Sequence, residues 1–230
     1  MRAKLDRLWS ALLRFGFRLL YRELAWTYDA VSWLVSFGAW RDWQRSALPY
    51  LKGPRVLEIG HGPGHMLLAL HAAGYQTTGL DPSPQMGALG RRRLQRAGVQ
   101  IPLIRGTAQT LPFRSHAFDA ILATFPTDYL LAEETLAAAW RVLADNGRFV
   151  IVPQARFSGR GIPERFVEWL YAITGQRYEP HAALEAEPVT LEPRWNAIKQ
   201  AFAAAGFMLR IETVILEQSK VTVMVAQKST

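Results

Sequence analysis

Glu58, Gly60, Gly62, Gly64 and Asp81 are the residues whose types and spacing point to chemistry. An apolar run, Val56-Leu57, leads into Glu58, and three glycines then alternate with other residues before His65. Glycine lacks a Cβ and tolerates positive φ, so a strand, a glycine turn and a helix N-terminus together let backbone approach a ligand closely. Asp81 closes a β-like run, Gln76-Thr77-Thr78-Gly79-Leu80, and stands 17 residues beyond Gly64. A doubly wound α/β fold places there the carboxylate that accepts hydrogen bonds from ribose hydroxyls. The combination predicts nucleoside binding. Asp81 also suits an N-cap of the helix that follows, with Ser83 sharing the work, and the sequence leaves both roles open. A dinucleotide fingerprint would need glycine at position 65, so His65 argues against NAD.

These residues need a sheet and helices to hold them. Ala73-Gly74, Ala97-Gly98 and Ala205-Gly206 each close a helical stretch on a glycine fit for a left-handed C-terminal cap. Strands are predicted at 55–60, 76–81, 101–106, 118–124, 147–153, 209–217 and 220–227. Helices are predicted at 64–73, 83–97, 130–143 and 193–205. Alternating β and α units imply an α/β fold, a doubly wound and mainly parallel seven-stranded sheet covered on both faces. The last two strands are joined by too few residues for a crossover and must form an antiparallel hairpin. With 230 residues, half of them hydrophobic, the chain is long enough for one domain with a full core. It has no cysteine, which excludes disulfides and thiolate metal sites and suits a reducing, cytoplasmic setting. The five histidines show no paired ligand spacing beyond His61 and His65, so no metal is expected.

The pattern Glu58-x-Gly60-x-Gly62-x-Gly64 resembles motif I of the class I S-adenosylmethionine (SAM) methyltransferases. Further matches follow in order: Asp81-Pro82-Ser83-Pro84-Gln85-Met86, Gly106-Thr107-Ala108-Gln109-Thr110-Leu111-Pro112-Phe113, His116-Ala117-Phe118-Asp119, and Trp140-Arg141-Val142-Leu143 with Gly147. The resemblance covers roughly residues 55–152. It implies a Rossmann-like methyltransferase fold and SAM as cofactor. The methionyl part would lie over residues 60–64, including His61, with Glu58 behind them. Asp81 would take the ribose, with Pro82 beside it, and Met86 would pack on adenine. Thr107, Ala108 and Gln109 would line the adenine side, Thr107 standing where the family usually has an acid. Met86 fits a plain core position equally well.

SAM carries an activated methyl group, so catalysis is mostly alignment of a nucleophile about 3–3.5 Å away, with a base where the acceptor must lose a proton. The place to look is after the fourth strand, at Ala123-Thr124-Phe125-Pro126-Thr127-Asp128-Tyr129. Thr124 is assigned to the cofactor, Asp128 and Tyr129 to the acceptor. Asp128 is also placed to cap a helix starting near Leu130. Tyr28-Asp29 with Trp33, Ser36, Gly38, Trp43 and Arg45 resembles the lead-in of methyltransferases acting on quinone precursors and phospholipid head groups, which implies that Tyr28 helps close the pocket.

Two segments lie outside the core: an N-terminal extension over 1–50, preceding a SAM-binding domain over 51–230, and an insertion near 154–192. Leu5, Leu8, Trp9, Leu12, Phe15, Leu19 and Leu20 recur at helical spacing beside Arg7, Arg14, Arg18 and Arg22, and residues 1–22 hold six basic side chains against Asp6. Such a basic amphipathic helix suits an anionic membrane surface, on which it would lie without crossing. It equally suits a packed cover over the SAM pocket. Residues 162–174 read as a lid helix fit for a lipid-like acceptor, although core packing explains their aromatics as well. Three readings remain open. The first is a peripheral enzyme on the inner membrane face, methylating a phospholipid head-group amine or an isoprenoid quinone precursor. The second is a cytosolic small-molecule methyltransferase. The third, prompted by the net charge of +8 and Arg91-Arg92-Arg93 with Arg96, is a nucleic-acid methyltransferase. That arginine run is expected on a solvent-facing helix and no nucleic-acid module is present, so no nucleic-acid partner is expected, and the chain is expected to be a monomer.

Overall fold

The computed structural model describes residues 28–126, 128–158 and 192–229. Two helices lead, α1 (Tyr28–Ser36) and α2 (Trp40–Arg45). Then come β1 (Arg55–Ile59), α3 (His65–Ala72), β2 (Gln76–Asp81), α4 (Pro84–Arg96), β3 (Leu103–Arg105) and β4 (Phe118–Thr124). After these follow α5 (Glu133–Val142), β5 (Leu143–Phe157), α6 (Glu192–Ala204), β6 (Phe207–Leu216) and β7 (Ser219–Lys228). The seven strands form one sheet in the order β3-β2-β1-β4-β5-β7-β6. β1 to β5 run parallel, and β7 inserts antiparallel between β5 and β6. This is the mainly parallel sheet with a closing hairpin that the sequence predicts.

Alternation along the strands divides the side chains between two cores. Leu57, Ile59, Ile121, Ala123, Phe149, Ile151, Met224 and Ala226 face one side, where α5 and α6 add Leu136, Ala139, Val142 and Phe202. Val56, Ala120, Leu122, Val150, Val152, Val221, Val223 and Val225 face the other, where α2 and α3 add Trp43, Met66 and Leu70. Full burial of one such side chain contributes about 1.5–3 kcal/mol, so the period-2 pattern of these strands fixes which face each presents. The helices α3, α4 and α6 end as expected on glycines in the left-handed region, at 74, 98 and 206.

Three expectations need correction. The helix predicted from residue 130 begins at Glu133, with Ala132 at its N-cap, and Asp128 instead opens a separate 3-10 turn, Asp128–Leu131. Asp128 therefore cannot cap α5. β5 starts at Leu143 and not 147, because Leu143 pairs with Phe118 before a bulge returns the register at Ala120 and Arg148. The arginine run is not wholly solvated: Arg91 and Arg92 are exposed, but Arg93 is half-buried and hydrogen-bonded. The predicted helix over 1–22 and the 162–174 segment lie outside the described residues.

Parallel register brings the site together. Ile59 pairs with Leu80 on one side and Ala123 on the other, so β1, β2 and β4 end level. Gly60, Asp81 and Thr124 thus share one edge of the sheet. The strand order reverses direction between β1 and β4, the switch point where an open α/β sheet forms its ligand crevice.

Candidate active site

The glycine loop is sewn to the end of β2. Gly60 N–H donates to Leu80 O at 2.7 Å and His61 N–H to the same oxygen at 3.4 Å. Asp81, buried at the strand end, then accepts from Gly62 N–H through Oδ2 at 2.9 Å and from Ser83 N–H through Oδ1 at 2.8 Å. One carboxylate thereby ties the loop to the start of α4, and each oxygen keeps a further acceptor position. Ser83 is the N-cap of α4, its Oγ accepting from Met86 N–H at 3.2 Å, so Asp81 does not cap the helix itself but holds the loop against the N-cap residue. Gly62 has φ +52 and a Cβ built there would meet nothing within 4 Å, which leaves that side of the loop open to a ligand. Gly64, at φ +84, lies so close to α4 that its Cβ would stand 3.3 Å from the Gly90 Cα.

Behind the loop stands Glu58, 1% exposed, whose Oε2 has no hydrogen-bond partner. Burial, and then the neighbouring charge of Asp81, push its carboxyl well above the ordinary range. His61 is a wedge: a Cβ at Gly79 would lie 2.9 Å from its Cδ2 and one at Gly90 3.3 Å from its Cε1. Its Nδ1 lies 2.7 Å from Gly62 O, and because a carbonyl only accepts, the proton is assigned to Nδ1. Burial lowers the imidazole pKa against the pull of Asp81, so the ring is neutral near pH 7. The side chain of His61 is thus used to join β2, α4 and the loop.

The segment after β4 forms the opposite wall. Thr124 Oγ1 accepts from Gln44 Nε2–H at 2.9 Å. Phe125 holds φ +50, a strained value for an aromatic residue, fixed by its N–H bond to Val152 O at 2.7 Å and by stacking on Trp40 at 4.2 Å. Asp128 opens the next turn, and Tyr129 leans over the loop, its hydroxyl 3.3 Å from where a Cβ on Gly60 would be. On the β3 side, Gly106 N–H donates to Asp81 O at 3.3 Å and Thr107 Oγ1 lies 3.0 Å from Thr110 Oγ1. Ala108 is buried, Gln109 half-buried and Pro82 exposed, while Met86 is buried at 1% exposure on the first turn of α4. Tyr28 begins α1, and its neighbour Asp29 bonds His65 and Arg93. The sequence named Asp29 only within the lead-in motif and Arg93 only within a basic run expected to face solvent, and assigned neither to the site, although Met86, Gly90 and Arg93 fall at i, i+4 and i+7 on one helix face.

Residues 56–147 match the family described as a methyltransferase domain. A demethylmenaquinone methyltransferase from Thermus thermophilus is 33% identical over 209 residues, covering 84% of this chain and 93% of the relative. The chain belongs to the SAM-dependent methyltransferases. Another demethylmenaquinone methyltransferase, from Symbiobacterium thermophilum, is 30% identical over 83% of this methyltransferase and 84% of its own length. Among solved structures, a geranyl diphosphate C-methyltransferase from Streptomyces coelicolor, in complex with S-adenosyl-L-homocysteine, shares the fold, with a TM-score of 0.56 and 15% identity over 83% of this chain and 75% of that one. SAM is the cofactor, and the residues present fit it. The molecule carries a sulfonium and an ammonium, and the loop offers a buried, unpaired carboxyl oxygen on Glu58, spare acceptors on Asp81 and open space above Gly62.

Proposed function

We propose that this methyltransferase alkylates a ring carbon of an isoprenoid quinone precursor, in its reduced, electron-rich form, at a membrane surface. The observation that carries the reading is the 33% identity to a demethylmenaquinone methyltransferase across 84% of the chain. Glu58, His61, residues 60–64, Asp81, Pro82, Met86, Thr107, Ala108, Gln109 and Thr124 hold SAM, and Tyr28, Asp128 and Tyr129 flank the acceptor. We assign the chain a SAM-binding domain over 51–230 behind an N-terminal extension over 1–50. When bound, SAM supplies a methyl group whose bonding electrons leave with sulfur. The chain's task is to align and to move protons. A quinol hydroxyl gives up its proton, the ring carbon takes the methyl group as the C–S bond breaks, and the proton on that carbon is then lost to restore the aromatic ring. Tyr129, set over the loop against a hydrophobic core, supports a role beside the reacting carbon, with Asp128 as the acceptor of the proton. Trp40, stacked on Phe125 just beyond the end of β4 and backed by the buried Trp43, supports a flat, apolar acceptor at this edge of the sheet.

The test is labelled methyl transfer from SAM to a demethylated naphthoquinol kept reduced, beside phosphatidylethanolamine and a pool of small cytosolic phenols and amines. Label should enter the quinol. Label confined to the phospholipid amine or to the small molecules overturns the acceptor assignment. In parallel, Gly62→Asn should keep the fold, because asparagine tolerates positive φ, yet weaken SAM binding at least tenfold by filling the open side of the loop. Asp81→Ala should do the same by releasing the loop from α4. Calorimetry with wild-type affinity in both variants would refute the site.

A further inference from the structure

The contact between α1 and the glycine loop is made by charge. Asp29, in the first turn of α1, accepts from His65 Nε2–H through Oδ1 at 2.8 Å and from Arg93 through Oδ2. Arg93, in the last turn of α4, uses its other terminal nitrogen on Pro63 O inside the loop. His65 is the first residue of α3, directly after Gly64. Three elements and the loop therefore meet in one network of four residues, two of whose members are mostly covered: the side chains of His65 and Arg93 are 16% and 24% exposed, that of Asp29 45%. The charges agree with the geometry. Burial tends to raise the Asp29 carboxyl, but the hydrogen bond from His65 and the charges of His65 and Arg93 outweigh it and hold it below the ordinary range. Burial lowers the His65 imidazole, opposed by the Asp29 hydrogen bond and reinforced by Arg93 and Arg41. Near pH 7 His65 therefore donates as a neutral ring and Asp29 is an anion; the imidazolium charge acts on Asp29 only in the acid range where the carboxyl titrates.

We infer that Asp29, His65 and Arg93 form a latch that sets the cofactor loop against α1, making SAM affinity depend on a carboxylate that does not itself line the glycine turn. Asp29 is a positioning residue. It fixes the guanidinium that holds Pro63 O, and so the curvature of residues 62–64, and it anchors the backbone of Tyr28 beside the loop. The latch works both ways: α1 in place stiffens the loop for cofactor, and bound cofactor in turn holds α1 down, since coupling between two equilibria is reciprocal. The inference rests on residues 60–64 being the cofactor loop.

Asp29→Asn tests it sharply. Asparagine keeps the size but has one acceptor oxygen, so its amide nitrogen must face one of the two donors and break that bond. Binding of S-adenosylhomocysteine to the full chain, measured by calorimetry, should weaken about tenfold, and KM for SAM should rise by a similar factor with a smaller change in kcat. Arg93→Lys keeps the charge but not the fork that bridges two acceptors, and should weaken binding comparably. The double variant should be no worse than Arg93→Lys alone, because both changes break one network. Thermal unfolding of each variant separates a collapsed fold from a loosened loop; the half-exposed Asp29 should change Tm by no more than about 2–4 °C, which corresponds to roughly 1 kcal/mol for a chain of this size. Wild-type affinity in Asp29→Asn, or strictly additive losses in the double variant, would overturn the latch. Undiminished affinity in Gly62→Asn would instead remove the cofactor-loop reading, leaving the two failures distinct.

Discussion

A carboxyl group buried with one oxygen unpaired is costly when ionised, and Glu58 sits in that position beside a second carboxylate. Burial and the charge of Asp81 push its carboxyl up, so the folded chain holds this proton to higher pH than the unfolded chain does. Folding stability from this group is then full below the ordinary value near 4.5 and is lost as pH rises toward the raised value. Glu58→Gln removes the titration. We predict that the variant without cofactor unfolds at a higher temperature than wild type at pH 8, that the difference shrinks toward pH 4.5, and that SAM binding nevertheless falls because the negative charge behind the loop is gone. Thermal melts across pH with and without SAM check this, and a variant that melts with wild type at both pH values removes the argument. At this scale the sequence was legible where a residue's chemistry forces its place. Glycines at 60, 62 and 64 and the acid at 81 are needed by any close backbone approach to a nucleoside. Arg93 was misread for the converse reason: three consecutive arginines spread over most of a helix circumference, and only the stripe through Met86 and Gly90 shows which of them turns inward.

Elements translate those residues into geometry, and the segment between β4 and α5 is where chemistry and strain coincide. Phe125 at positive φ turns the chain sharply, the 3-10 turn Asp128–Leu131 follows, and the Tyr129 carbonyl accepts from Thr135 Oγ1 at 2.8 Å, pinning the turn to α5. If the turn serves the acceptor, Asp128→Asn or Tyr129→Phe should lower kcat by ~10²-fold or more while SAM affinity stays near wild type. Steady-state kinetics with the reduced quinol, together with calorimetry, make the comparison. Full turnover in both variants would leave alignment alone as the mechanism. The sequence predicted every strand and the core helices because glycine C-caps and apolar periodicity mark them. It misplaced the start of α5 because Leu130 and Leu131 continue the apolar pattern while the backbone is still in a 3-10 turn. The left-handed Phe125 could not be read at all: its conformation is imposed by Trp40 and Val152, far away in sequence.

At the scale of the molecule, the acceptor's chemistry asks where the enzyme works. An isoprenoid quinone precursor resides in a bilayer, whereas among the described residues no helix is long and apolar enough to cross one. The proposed acceptor would then be reached from the surface. Arg14, Arg18 and Arg22 lie beside an apolar series of Leu5, Leu8, Trp9, Leu12, Leu19 and Leu20 in the sequence, and α1, the first described element, exposes Trp33 and Leu34 at 64% and 50%. Each basic residue near an anionic surface contributes on the order of 1 kcal/mol, screened over roughly 8 Å at physiological salt, while buried apolar area adds a part that salt does not remove. The full chain should therefore float with vesicles containing anionic lipid, bind neutral vesicles poorly, and detach progressively as ionic strength rises. If residues 1–22 serve the membrane, changing Arg14, Arg18 and Arg22 together to Gln should cut flotation sharply and leave SAM binding unchanged. A pH-independent, salt-independent presence in the soluble fraction with anionic vesicles would return residues 1–22 to a cover over the pocket and favour a small acceptor that reaches the crevice from water.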